Sequence, residues 1–121
     1  TPEYLNNKYS PEKFEDLLKT LNTKPSKIFT SYNKALQIKA IMGHDISKYF
    51  SGSMDEAAKN IKTKLFIIVG KQDNLVNPTP AIEFAKVLNS EILILDNNCG
   101  HLAVGCELKR CSDAIKLFLK K

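Results

Sequence analysis

Apolar and polar positions divide the chain into two stretches of different rhythm. Residues 1–60 place apolar side chains at helical spacing and contain no convincing strand, whereas residues 61–121 alternate strand, helix, strand, helix. In the first stretch, Ser10-Pro11-Glu12-Lys13 reads as a helix start, with serine as N-cap and proline at the first helical position. Phe14, Leu17, Leu18 and Leu21 then fall on one face. Lys24-Pro25-Ser26 breaks that helix. A second helical pattern enters at Ile28 and Phe29, passes Tyr32, Leu36 and Ala40, and runs toward Met42, with Gly43 as its C-terminal cap. A short third helix begins at Ser53-Met54-Asp55-Glu56, capped by Ser53 or Asp55, and extends through Ile61.

The second stretch carries the stronger signal. Lys64 to Gly70 is an almost continuous apolar run ending in glycine, the pattern of a strand covered on both faces in a parallel sheet. Pro78 to Asn89 reads as a helix whose buried side is Ala81, Ile82, Phe84, Ala85, Val87 and Leu88. Glu91 to Leu95 is a second strand, and a terminal helix is expected from Val104 or Gly105 to Lys120. A strand, a helix and a strand in this order predict a parallel pair joined by a right-handed crossover. The expected fold class is therefore α/β: two parallel strands with flanking helices, preceded by a helical segment.

Composition adds constraints. A chain of 121 residues is the size of one domain. Its net charge of +5 comes from lysines spread along the sequence, and the one local cluster, Lys116, Lys120 and Lys121, sits at a helix end where cations suit the dipole. No basic stripe interleaved with aromatics points to nucleic acid, and no apolar run approaches the roughly 20 residues that span a bilayer. Neither nucleic acid nor membrane is expected as a partner. The tyrosines Tyr4, Tyr9, Tyr32 and Tyr49 are expected to pack helix faces. Cys99, Cys106 and Cys111 are odd in number and lack the tight Cys-x2-4-Cys pair of a structural zinc site, so three reduced, partly buried thiols are expected, and no metal. The start at Thr1-Pro2-Glu3 reads as a processed product or a piece of a longer chain, which leaves the compartment open, with the cytoplasm favoured.

Catalytic groups in an open parallel sheet collect at the carboxyl ends of its strands. Two polar segments occupy that place: Gly70 to Pro78 after the first strand and Asp96 to His101 after the second. Asp73 and His101 thereby come to one sheet edge, on adjacent strands. A carboxylate so placed accepts a hydrogen bond from one imidazole nitrogen, fixes the tautomer, and leaves the other nitrogen to take a nucleophile's proton.

The segment LFIIVGKQDNLVNPTPAIEFAKVLNSEILILDNNCGHLAVGCE resembles the last two strands of an α/β-hydrolase, with a strand ending in G-x-x-D, a proline-containing turn into a helix, and a strand leading to G-H. The resemblance implies that Asp73 is a triad acid, that His101 is the general base, and that Gly100 permits the tight turn presenting the imidazole. Within that fold the chain is similar to the homoserine O-acetyltransferase-like group. YNKALQIKAIMGHDIS resembles that group's helical lid, and the spacing from Gly100-His101 to Glu107 fits. Leu102 departs from the group, which carries an acidic residue after the histidine.

The resemblance covers residues 60–121 well, 30–60 loosely, and 1–30 only as generic lid. By it, residues 1–60 are a lid and residues 61–121 the C-terminal part of an α/β-hydrolase core. The implied reaction is acyl transfer through an acyl-serine, with acetyl-CoA as donor, an alcohol or water as acceptor, no tightly bound cofactor, and methionine biosynthesis as setting. Esterase activity on the same fold and a non-catalytic binding module remain open. His44 and Asp45 are candidates for a substrate pocket under the lid, or for capping the helix end beyond Gly43.

No G-x-S-x-G elbow occurs; Ser51-Gly52-Ser53 is nearest, but no apolar strand precedes it. Cys99 adjoins the expected base, which is not where this fold places a nucleophile. The chain alone is expected to be inactive, to need an N-terminal part of the same protein, and to self-associate through an unpaired strand edge.

Overall fold

The computed structural model describes residues 1–23 and 30–121. The side chain of Leu21, the expected break at Lys24-Pro25-Ser26 and the helix entry at Ile28 and Phe29 lie outside the described residues. The chain opens with α1 (Pro2–Lys8), which the sequence pattern did not announce. Thr1 caps it by accepting from the Tyr4 N–H at 3.3 Å, and Pro2 starts the helix. The helix α2 (Pro11–Thr23) starts at the expected proline, with Ser10 accepting from Lys13 at 3.4 Å. The helix α3 (Ser31–Met42) is capped by Thr30, which accepts from Asn33 at 3.2 Å. Gly43 closes α3 with φ −81°, so no left-handed residue is needed there.

A 3-10 turn (Ile46–Phe50) leads to α4 (Met54–Lys59), and Ser53 rather than Asp55 is its cap, accepting from Glu56 at 3.2 Å. There follow β1 (Phe66–Gly70), α5 (Thr79–Leu88), β2 (Glu91–Leu95), a 3-10 turn (Gly100–Leu102), α6 (Ala103–Cys106) and α7 (Leu108–Phe118). The expected terminal helix is thus interrupted at Glu107, whose φ of −123° and ψ of 37° leave helical geometry. The interruption falls where Cys106 and Glu107 are tied sideways to residues preceding His101.

β1 and β2 run parallel, in register from Phe66 opposite Glu91 to Gly70 opposite Leu95. Alternation along the strands sends Ile68, Leu93 and Leu95 to one face, where they meet Ala103 of α6 and Cys111 of α7. Phe66 stacks on Phe118 at 5.4 Å between ring centres, extending this contact to the start of the strands. α5 touches both strands and also α4, and Ala57, Ala58 and Ala85 are buried. At the far end Lys121 forms an ion pair with Glu91 at 2.6 Å.

Within β1 only Val69 is buried; Phe66, Ile67, Ile68 and Gly70 are half-covered. The expected coverage of both faces is therefore incomplete, because a sheet of two strands is too narrow to shield either one fully. The arrangement is a small α/β one, two parallel strands with helices around them. Among the described residues no helix is long and apolar enough to cross a membrane.

Candidate functional site

Both polar loops at the carboxyl ends of the strands are stitched together. Lys71 pairs with Asp96 at 2.6 Å, Gln72 Nε2 donates to Asn98 Oδ1 at 3.1 Å, and the Lys71 N–H donates to the Leu95 carbonyl at 2.9 Å. Thr1 Oγ1 donates to the Asn98 carbonyl, bringing the start of α1 to the same edge. These bonds hold the two loops side by side.

Asp73 lies just past the end of β1, its own N–H donating to the Gly70 carbonyl at 3.2 Å. Its Oδ1 accepts from the N–H groups of Leu75 and Val76, each at 2.9 Å. The other oxygen, Oδ2, lies 2.9 Å from His101 Nδ1. The Val76 N–H, then the His101 side chain, then the Leu75 N–H hold the Asp73 carboxyl below its ordinary value. An ionised carboxylate can only accept, so Nδ1 carries the proton of this hydrogen bond, and Nε2 is the nitrogen that Asp73 does not engage. The Asp73 side chain is 13% exposed and that of His101 51%, so the carboxylate is sheltered and the imidazole open to solvent.

His101 stands on the 3-10 turn, entered through Gly100 at φ +58°. A Cβ at Gly100 would strain this left-handed backbone, which is what the sequence reading required of that glycine. Along the open side of β1 a groove of about 330 Å³ runs from Ile67 to the acid–base pair, with Val76, Ala81 and Val104 on its wall. Its lining is mainly apolar, with Asp73, Asn77 and His101 as the polar side chains, the general form of a small-molecule site.

Three features went unread in the sequence. Cys99 and Cys106 form a disulfide, with Cα atoms 6.6 Å apart, while Cys111 is a buried free thiol. The expectation of three reduced thiols is corrected: the 3-10 turn and α6 fold the chain back and bring two cysteines within bridging distance, which linear spacing conceals. Asn97 is the second feature. Its Oδ1 accepts from the Cys99 N–H at 3.0 Å, and its Nδ2 donates to Glu107 Oε1 at 2.6 Å and to the Ala103 carbonyl at 3.4 Å. The third is the Gln72–Asn98 bond. Glutamine and asparagine side chains signal such bonds only when their neighbours in space are known.

His44 and Asp45 lie elsewhere. They line a separate surface depression with Ile46, Lys48 and Tyr49, sharing no lining residue with the groove at His101. Asp45 caps the following 3-10 turn, accepting from the Ser47 hydroxyl at 2.6 Å and the Ser47 N–H at 2.9 Å, contacts that lower its pKa. Its cap thus serves the element after it, not the end of α3.

No family model matches this chain, and no solved structure matches it. The site therefore rests on its own geometry. A sheltered carboxylate, an oriented imidazole with one free nitrogen, and an apolar groove beside it can together accept and return a proton at a bound substrate. Among the described residues no group of three or more His, Cys, Asp or Glu is placed to hold a metal ion.

Proposed function

We propose that this chain is the C-terminal part of an α/β-hydrolase-fold acyltransferase similar to the homoserine O-acetyltransferases, with Asp73 as triad acid and His101 as general base. The single observation that carries the reading is the 2.9 Å approach of Asp73 Oδ2 to His101 Nδ1, from loops following adjacent parallel strands. Chain order, acid before histidine, agrees with that fold. Residues 1–60 are the lid segment in this reading, although His44 and Asp45 lie in a depression of their own, apart from His101.

The sequence holds no nucleophile elbow, so the serine comes from a segment outside these residues. Its hydroxyl attacks the acyl carbonyl of a thioester donor, acetyl-CoA by family resemblance, as Nε2 of His101 takes the hydroxyl proton. The imidazolium, stabilised by Asp73, returns that proton to the departing thiol. An acceptor alcohol then attacks the acyl-serine, its proton passing through His101 to the regenerated serine.

Leu102 favours a second reading. An apolar residue where acetyltransferases of this type carry an acid removes a polar contact near the acceptor, and water as acceptor makes the enzyme an esterase. Acetyl transfer from acetyl-CoA to homoserine, assayed in the longest natural polypeptide containing this sequence alongside ester hydrolysis, tests both. Transfer abolished by His101→Ala, and reduced about 10³–10⁴-fold by Asp73→Asn, supports the transferase. Hydrolysis alone supports the esterase. Turnover that survives His101→Ala sinks the assignment, and silence in both assays moves the chain to a non-catalytic binding module.

A further inference from the structure

We propose that the Cys99–Cys106 disulfide is a redox-operated clamp that positions His101 against Asp73. The bond links positions seven apart and closes a ring with His101 inside it. His101 sits on a 3-10 turn of three residues, too short to hold a geometry through its own backbone bonds, and its side chain is half exposed. Packing holds Gly100 and Ala103 against the end of β1, and the exposed imidazole between them depends also on the ends of the ring.

One end is Cys99, whose N–H is held by Asn97 and whose carbonyl accepts from the Leu102 N–H at 3.1 Å. The other end is Cys106, the last residue of α6, next to Glu107, which Asn97 also holds. Asn97 and the disulfide thus bind the same two ends, one reversibly by hydrogen bonds and one covalently.

The bond is placed to be worked by a reductant. Cys106 is exposed and Cys99 half-buried, whereas Cys111, the remaining thiol, is buried against Leu95. A dithiol reductant attacks Cys106 Sγ as its thiolate, and Cys99 Sγ leaves and takes a proton. The reductant's second thiol then displaces Cys106, which is protonated in turn. Overall the dithiol becomes a disulfide, and the Cys99–Cys106 pair gains two electrons and two protons. The clamp is closed in an oxidising compartment and open where thiols are kept reduced. Its bearing on turnover rests on the acid–base reading above; the clamp itself does not.

The test reads the imidazole directly. Ring ¹⁵N shifts of His101 are recorded on the chain carrying His44→Gln, at a pH where the ring is neutral, before and after a dithiol reductant. The oxidised chain is expected to hold the Nδ1–H form. On reduction the ratio of Nδ1–H to Nε2–H falls roughly tenfold, the bias that a hydrogen bond to a carboxylate supplies. The double variant Cys99→Ser and Cys106→Ser shows the low ratio with or without reductant. An unchanged ratio in the reduced chain, or the high ratio in the double variant, overturns the clamp. If reduction also melts the strands, the measurement is repeated with sulfate, which strengthens burial; a fold that is still lost as a whole overturns a local device. Absence of acyl transfer in the activity assay leaves this readout untouched, so failures of the two proposals are distinguishable.

Discussion

Gly70 and Ala103 approach so closely that a side chain on the first has no room: a Cβ there lies 2.9 Å from the Ala103 Cβ and 3.0 Å from the Gly100 carbonyl oxygen. The end of β1 thus passes directly beneath the turn that carries His101. Gly70→Ala is expected to destabilise the chain by about 1–3 kcal/mol through overpacking and to shift the His101 turn away from Asp73. Gly105→Ala meets nothing within 4 Å and lies in α6, so it is expected to leave the fold intact and gain up to about 1 kcal/mol. Urea unfolding of both variants checks the contrast; equal stabilities would remove the packing argument.

The Asp73 carboxyl is held below its ordinary value by the Val76 N–H, His101 and the Leu75 N–H. Its pKa is therefore lower folded than unfolded, and the unfolded chain binds the extra proton. The resulting stabilisation is fully present above the unfolded carboxylate pKa of about 3.9 and disappears as pH falls through the folded value. Asp73→Asn is expected to flatten the dependence of stability on pH below about 4. Denaturant midpoints measured from pH 2 to pH 7 decide it, and parallel curves for the two proteins would count against the contact.

Leu95 is fully buried where β2, α6 and α7 meet. Leu95→Ala is expected to cost about 2–5 kcal/mol, a large share of what so small a domain holds. Ile94→Ala, a neighbour on the opposite face that is 39% exposed, should cost distinctly less. Thermal melts of the pair report the difference, and equal losses would mean the core lies elsewhere.

Among the described residues β1 pairs with β2 alone, so its other edge offers unpaired backbone groups along the groove. Concentrated solutions of this chain are expected to self-associate through that edge, and Ile67→Lys, which places a charge on it, should suppress the association. Sedimentation velocity over a range of concentrations follows it; a monomer at every concentration contradicts the expectation.

The site was partly legible in the sequence. Asp73 and His101 each follow an apolar run that ends in a strand, and strand ends in a parallel sheet deliver their loops to one edge, so the meeting of the two side chains followed from topology. Gly100 announced its turn because only glycine adopts that backbone freely. Asn97, Gln72 and Asn98 gave no such notice: their partners are chosen by loop conformation, and an amide side chain in a loop looks the same whether it faces water or a carboxylate.

The sequence by itself determined the alternation of β1, α5 and β2, the cap at Ser10, and the acid–histidine pair, since periodicity and capping are local and act within a few residues. Tertiary structure alone decided the remainder. It broke the terminal helix at Glu107, joined Cys99 to Cys106 while burying Cys111, and set His44 and Asp45 in a depression apart from His101. Those outcomes depend on the direction in which the chain leaves each turn, a three-dimensional property that no one-dimensional spacing encodes.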